Sequence, residues 1–189
     1  MRVFIAIGLP DDLKARLSES AARLEPLGEG VKWVHRDLMH VTLAFLGEIA
    51  PAFQQQINSA VQKVCETSPR FSCEVSGYGF WGTKRNPTTV WAAVSMPPEL
   101  EQLQERLSKA VKKFGFTVDT ENFRPHITLG RCRESCRNRR LIEAMDTDEN
   151  AEFGQLAVNK VTIYESRLGP KGPVYRTLMK FPLTAEFSP

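Results

Sequence analysis

Residues 3–13 read VFIAIGLPDDL, and residues 90–100 read VWAAVSMPPEL. At an offset of 87 they match at Val3/Val90, Phe4/Trp91, Ala6/Ala93, Ile7/Val94, Leu9/Met96, Pro10/Pro97, Asp12/Glu99 and Leu13/Leu100. Further on, HVTL at 40–43 meets HITL at 126–129 at an offset of 86, a single gap away from the same register. The chain holds only three histidines, His35, His40 and His126, and two of them occupy this shared frame. A common offset across an apolar run, a proline-acid step and a His-x-Thr frame marks an internal duplication, which has to be settled before any other fold reasoning.

Each copy has the same local grammar. Val3–Ile7 and Val90–Val94 are short apolar runs of the kind that buried strands show. Each ends before a proline followed by acids, a helix-start signal. Leu13, Leu17 and Leu24 space an apolar helix face in the first copy, and Leu100, Leu103, Leu107, Ala110, Val111 and Phe114 do so in the second. The histidine strand follows, then helices near Ala52–Cys65 and Arg139–Met145, then longer strands over Arg70–Phe80 and Gln155–Tyr164. The chain closes with a strand over Val174–Phe181 after the turn GPKGP. Gly82–Thr88 reads as a loop and not as a linker. The expected architecture is α+β and bilobal: two pseudo-twofold-related α/β lobes with antiparallel sheets around a central cleft. It forms one domain over 1–189, with repeats of about 1–86 and 87–189.

Strand alternation decides what the histidine frames can do. His40 and Thr42 point to one face, Val41 and Leu43 to the other, and the same holds for His126 and Thr128 against Ile127 and Leu129. A twofold brings the two His/Thr faces together across a cleft. One neutral imidazole can then take a proton while a protonated one gives a proton, each worth about 10²–10⁴-fold in rate. The threonine hydroxyls can donate to non-bridging phosphate oxygens. Arg131 has the wrong parity for this face in an ideal strand and needs a twist or bulge to reach it. His35 lies outside the repeat and reads as a structural or surface residue. Pro125 suits the first position of a strand.

The remaining composition narrows the class. Apolar residues make up 42% and charged residues 25%, ordinary for a globular chain that needs no disulfide or metal staple. Cys65, Cys73, Cys132 and Cys136 form no CxxC pair, which argues against a zinc site and for reduced thiols in the cytoplasm. No apolar run approaches the ~18 residues of a membrane span, and the opening MRVFIAIGLPDD is too short in its apolar part for a signal peptide. The net charge of +3 permits a polyanionic partner without requiring one. Arg124, Arg131, Arg133, Arg137, Arg139 and Arg140 face one acid, Glu134, in a segment that by itself reads as a solvated helix face.

Together these residues resemble the 2H phosphoesterase superfamily, named for its paired His-x-Thr/Ser-x motifs, and within it the RNA 2',3'-cyclic phosphodiesterase (2'-5' RNA ligase) family. The likeness runs from RVFIAIGLP through HVTLAFLG and RPHITLGR to VTIYESRLGPKGPVYRTLMKFPL. It implies two pseudo-symmetric lobes and a metal-free, cofactor-free active site of His40, Thr42, His126 and Thr128. The reaction implied is opening of a terminal 2',3'-cyclic phosphate on RNA to a 2'-phosphate. His40 would protonate the leaving O3' and His126 would activate water. Arg131 matches a basic residue after the second motif, and Phe45 an aromatic that lines a nucleoside pocket. Arg124 and Arg131, bracketing the second motif, then read as part of a groove for RNA phosphates. The implied partners are RNA ends or nucleotides bearing a 2',3'-cyclic phosphate, met by a cytoplasmic monomer. Two rivals stand beside this. One is the reverse reaction, joining the cyclic phosphate to a 5'-hydroxyl; an ATP-dependent ligase is disfavoured, with neither KxDG nor GxxxxGK[ST] in the chain. The other is a non-catalytic RNA-binding module stacking bases on Trp33, Trp81 or Phe45.

Overall fold

The computed structural model describes residues 1–118, 122–133, 138–148, 151–170 and 172–184. Cys136, Arg137 and Glu134 of the basic segment lie outside these residues, as does Lys171 of the closing turn. The strands are β1 (Arg2–Gly8), β2 (Val31–Trp33), β3 (His40–Glu48), β4 (Phe71–Gly82), β5 (Pro87–Val94), β6 (His126–Cys132), β7 (Glu152–Val158), β8 (Lys160–Gly169) and β9 (Gly172–Pro182). The α-helices are α1 (Asp11–Leu24), α2 (Gln54–Glu66), α3 (Pro98–Lys112) and α4 (Arg139–Thr147).

The helices start and stop for legible reasons. Pro10 precedes α1 and Pro97 precedes α3, with Asp11 and Asp12 or Glu99 and Glu101 in the first turn against the positive end of the helix dipole. Arg23, or Lys109 and Lys112, occupy the last turn. Leu13, Leu17, Ala21 and Leu24 are buried on α1, and Leu100, Leu103, Leu107 and Val111 on α3. Each large aliphatic side chain among them contributes roughly 1.5–3 kcal/mol by leaving water. No helix among the described residues is long and apolar enough to cross a membrane.

All strands pair antiparallel in the order β7-β4-β5-β6-β3-β1-β8-β9, with β2 added on β6. The expected two sheets are therefore joined edge to edge. The join is a single pair, Val41↔Ile127, at the centre of the pseudo-twofold. The strands do not stay with their own sequence repeat. β4, from the first copy, pairs with β5 of the second; β8, from the second, pairs with β1 of the first. The helices cross as well: α1 packs on β6 and β7, while α3 packs on β3 and α2.

One sequence expectation fails locally. The strand expected over Gln155–Tyr164 is two strands, β7 and β8, that break at Asn159 and run to opposite ends of the sheet. Only the polar pair Asn159 and Lys160 marks the reversal, and it is short beside two arms that are both buried, with Leu156, Val158, Val161 and Ile163 all at 1% exposure or less.

Candidate active site

The paired strands β3 and β6 carry the site. Val41, Leu43, Ile127 and Leu129 are buried below the sheet. His40, Thr42, His126 and Thr128, on the other face, line one cavity of about 530 Å³. Phe45 and Arg131 line the same cavity. All six sequence-nominated residues thus come together.

Arg131 arrives by the bulge its parity demanded. Trp91 pairs with Thr128 and Val90 with Gly130, so β6 carries one extra residue, Leu129, against β5. Leu129 and the following Gly130 are both buried, and beyond them alternation resumes with Arg131 on the histidine face. β3 has the same device: Ala6 pairs with Thr42 and Ile5 with Ala44, leaving Leu43 extra. Leu43 and Ala44 are consecutive buried residues, and Phe45 emerges on the histidine face, 45% exposed. Bulges re-aim side chains next to sites in this way. Phe45 and Arg131 are consequently equivalent positions of the duplication, one filled by an aromatic and one by a cation. The Arg2 guanidinium sits 5.0 Å from the Phe45 ring centre.

The two imidazoles are held alike. His40 Nδ1–H donates to the Leu38 carbonyl at 2.6 Å, and His126 Nδ1–H donates to the Arg124 carbonyl at 2.8 Å. In each case the acceptor lies two residues back and fixes the tautomer, leaving Nε2 to exchange protons. His40 Nε2 meets Thr42 Oγ1 at 3.0 Å. Each ring also rests on the aromatic at the matched position of the repeat. Phe4 lies 4.9 Å from His40 and Trp91 lies 5.9 Å from His126, centre to centre. Tyr175 stands edge-on to His40 at 5.3 Å, and Trp81 edge-on to His126 at 5.8 Å.

Electrostatics distinguish the pair. Burial lowers the His40 pKa from its ordinary value, the positive fields of His126 and Arg131 lower it further, and the bond to Leu38 works the other way. Charging His40 in the free protein is thus harder than charging a histidine in water. Burial raises the Tyr175 pKa against the opposing fields of Arg131 and Arg2.

Several lining residues carry no signal in the alternation pattern. Lys32 enters on β2, a three-residue strand with too little pattern to register, and pairs directly with Arg131. Two like charges facing each other across a ladder oppose one another and favour an anion between them. Trp33 lines the cavity wall, and Gly130 lets it approach, since a Cβ there would stand 3.2 Å from the indole and 2.6 Å from Val31. Arg2, Phe4, Ser166 and Tyr175 line it on the other side. Phe4 is marked by its match with Trp91, while Arg2, Ser166 and Tyr175 lie in stretches that carry the family resemblance but give no sign of facing the site. His35 reaches the rim, where its Nδ1 accepts from the Asp37 amide at 3.4 Å and caps a short 3-10 turn, a structural role as expected. Arg124 lies outside the cavity lining, its guanidinium 5.8 Å from the Trp81 ring centre. Arg139 is engaged with Glu143 one helical turn away.

An antiparallel sheet duplicated about a pair of His-x-Thr strands defines one class, and the chain belongs to the 2'-5' RNA ligase superfamily, whose family pattern matches residues 9–170. The chain is 35% identical over 182 residues to the Thermotoga maritima protein named RNA 2',3'-cyclic phosphodiesterase, covering 94% of this chain and 93% of that one. Its Archaeoglobus fulgidus counterpart of the same name is 29% identical, with 96% and 99% covered. Among solved structures, that of Escherichia coli LigT complexed with 3'-AMP matches with a TM-score of 0.80 at 28% identity, covering 97% of this chain and 98% of that one. A Thermus thermophilus structure matches with a TM-score of 0.84 at 28% identity, covering 99% and 100%.

Proposed function

We propose that this chain is an RNA 2',3'-cyclic phosphodiesterase that opens the terminal cyclic phosphate of an RNA end to a 2'-phosphomonoester, by acid-base catalysis through two histidines and without a metal. It works as one bilobal domain, a cytoplasmic monomer. The observation that carries the reading is the matched tethering of His40 and His126, each with its Nδ1–H on a carbonyl two residues back and both in one cavity.

In the proposed step the cyclic phosphate lies between the imidazoles. His126 Nε2 takes a proton from water as the oxygen attacks phosphorus, the P–O3' bond breaks, and His40 Nε2–H gives its proton to O3'. In the empty site the Thr42 hydroxyl donates to unprotonated His40 Nε2; once Nε2 carries the proton meant for O3', that hydroxyl is released to donate to a non-bridging oxygen, and Thr128 serves the other side. Arg131 and Lys32 offset the phosphate charge, and Phe45 offers a face for the terminal base. The lowered pKa of His40 opposes the acid role in the empty site. A bound phosphate anion beside the ring favours its charged form and so works against both the burial and the Arg131 field. A 5'-hydroxyl in place of water gives the reverse, 2'-5' joining reaction, which hydrolysis outruns because water is in vast excess.

The test is to incubate the protein with RNA ending in a 2',3'-cyclic phosphate, in excess EDTA, and identify the product. Turnover to the 2'-phosphate is expected, with His40→Gln and His126→Gln each lowering kcat by about 10²–10⁴-fold. No turnover by the wild-type protein would sink the activity, and turnover abolished by EDTA would sink the metal-free route.

A further inference from the structure

A second cavity, of about 390 Å³, opens on the far side of His40. It shares Leu38, His40 and Tyr175 with the catalytic cavity, so the two are neighbours across one wall. Lys14 from α1, Lys160 from β8 and Lys180 from β9 line it, with Asp37 the only acid in the lining among the described residues. Asp37 Oδ2 lies 3.4 Å from His35 Nδ1. Lys14 is largely covered, with 19% of its side chain exposed, and its paired acid Asp11 is 3.7 Å away and 88% exposed. Neither Lys160 nor Lys180 makes an ion pair among the described residues. Lys180 pairs with Thr162 and Lys160 with Pro182, so the two lysines are diagonal neighbours on the β8–β9 ladder, about 7–8 Å apart at the backbone.

The duplication makes this cavity informative. The two histidines match in their threonines, carbonyl tethers and backing aromatics, but their flanks do not match. Lys14, one position past the Leu13/Leu100 match, corresponds to Glu101 in the second copy. A site that handled only a symmetric phosphate group would have no use for a cationic trough beside one histidine whose matched position in the other repeat is an acid.

We infer that the lysine cavity binds the phosphodiester backbone immediately upstream of the cyclic end, so that the preferred substrate is an RNA strand and not a nucleoside 2',3'-cyclic monophosphate. Lys14, Lys160 and Lys180 take the internal phosphates while the terminal phosphate lies between His40 and His126. Entry of the strand on this side sets the terminal ribose, and with it O3', against His40. This inference rests on the phosphodiesterase reading and gives the otherwise symmetric site a direction.

Three substrates test it: a nucleoside 2',3'-cyclic monophosphate, and a dinucleotide and a tetranucleotide ending in the same cyclic nucleotide. Wild-type KM falls from the first to the last. The exposed pair Lys160→Gln/Lys180→Gln raises KM for the tetranucleotide by roughly three- to tenfold and leaves the mononucleotide kinetics unchanged. The slope of log kcat/KM against log salt for the tetranucleotide becomes shallower by about 0.7 for each lysine removed. Inorganic tripolyphosphate is added as a competitor. Inhibition of mononucleotide and tetranucleotide hydrolysis to the same degree would overturn the backbone assignment, because it would place the bound polyanion in the catalytic cavity. Equal KM for all three substrates, or a double variant that changes the mononucleotide and the tetranucleotide alike, would overturn it too. Failure of the wild-type protein on all three substrates instead refutes the underlying activity.

Discussion

Substituting Gly79→Ala asks whether the Trp91 indole sets the position of His126. Gly79 faces Trp91 directly in the β4–β5 ladder, and a Cβ at 79 would stand 2.1, 2.3 and 2.4 Å from three indole carbons. Ordinary carbon contact begins near 3.4 Å, so the ring has to retreat by about 1.3 Å. Its other ring neighbours are Trp81 at 5.1 Å and His126 at 5.9 Å, and the shift passes to them. Overpacking of this kind costs about 1–3 kcal/mol, and the alanine recovers about 0.4–1 by stiffening the unfolded chain, for a net loss of about 1–2 kcal/mol. A misplacement near 1 Å at a reacting group lowers kcat by about 10²-fold. Urea unfolding reads the first quantity, and kcat on cyclic-phosphate RNA the second. The double variant Gly79→Ala/Trp91→Leu, which removes the obstructing ring, recovers the stability lost to the clash but not the activity. Wild-type stability and kcat in Gly79→Ala would refute the packing account. A lost 1–2 kcal/mol with intact kcat would show that Trp91 does not position His126.

Two further outcomes follow from His40. Its folded-state pKa lies below the unfolded value near 6.5, so the unfolded chain binds the proton more readily and stability contributed by neutral His40 falls as pH drops below that value. Thermal unfolding from about pH 7.5 to about pH 5 should show this loss in the wild type and a weaker one in His40→Gln; parallel curves would be contrary. Arg131→Gln removes one of the charges that disfavour protonated His40, so the His40 pKa rises in an NMR titration and KM for cyclic-ended RNA increases by about tenfold. An unmoved His40 titration would mean that the Arg131 charge is spent elsewhere.

Much of the site was legible because duplication leaves a double record. HVTL and HITL, each backed by an aromatic at the Phe4/Trp91 match, locate both halves of the cavity without any pairing information. Arg131 shows where alternation stops being sufficient. Its parity is wrong for an ideal strand, and only the extra residue at Leu129 corrects it. The trace of that bulge is the pair Leu-Gly, matched by Leu-Ala at 43–44, two consecutive small-or-apolar positions where the period of two is broken in both copies. The exchange of β4 and β8 left no such trace. A repeat records which segments are alike, while the ladder a strand joins depends on contacts between distant segments. Lys32 was hidden for a related reason, since a three-residue strand is defined by its partner β6 more than by its own sequence.

The crossed strands also have a mechanical meaning. A cleft between two separately built lobes can open like a jaw about one connecting segment. Here each half of the sheet is completed by strands from the other repeat, and α1 and α3 reach across in the same way. Widening the gap between the imidazoles would strain several covalent tethers at once, each running from one side to the other. The same crossing is what a strand-swapped homodimer becomes when its two subunits are fused end to end. In such an ancestor both histidines, both threonines and both flanks were identical. In the single chain Phe45 and Arg131, or Lys14 and Glu101, are free to differ while the span between the catalytic groups is braced from both ends.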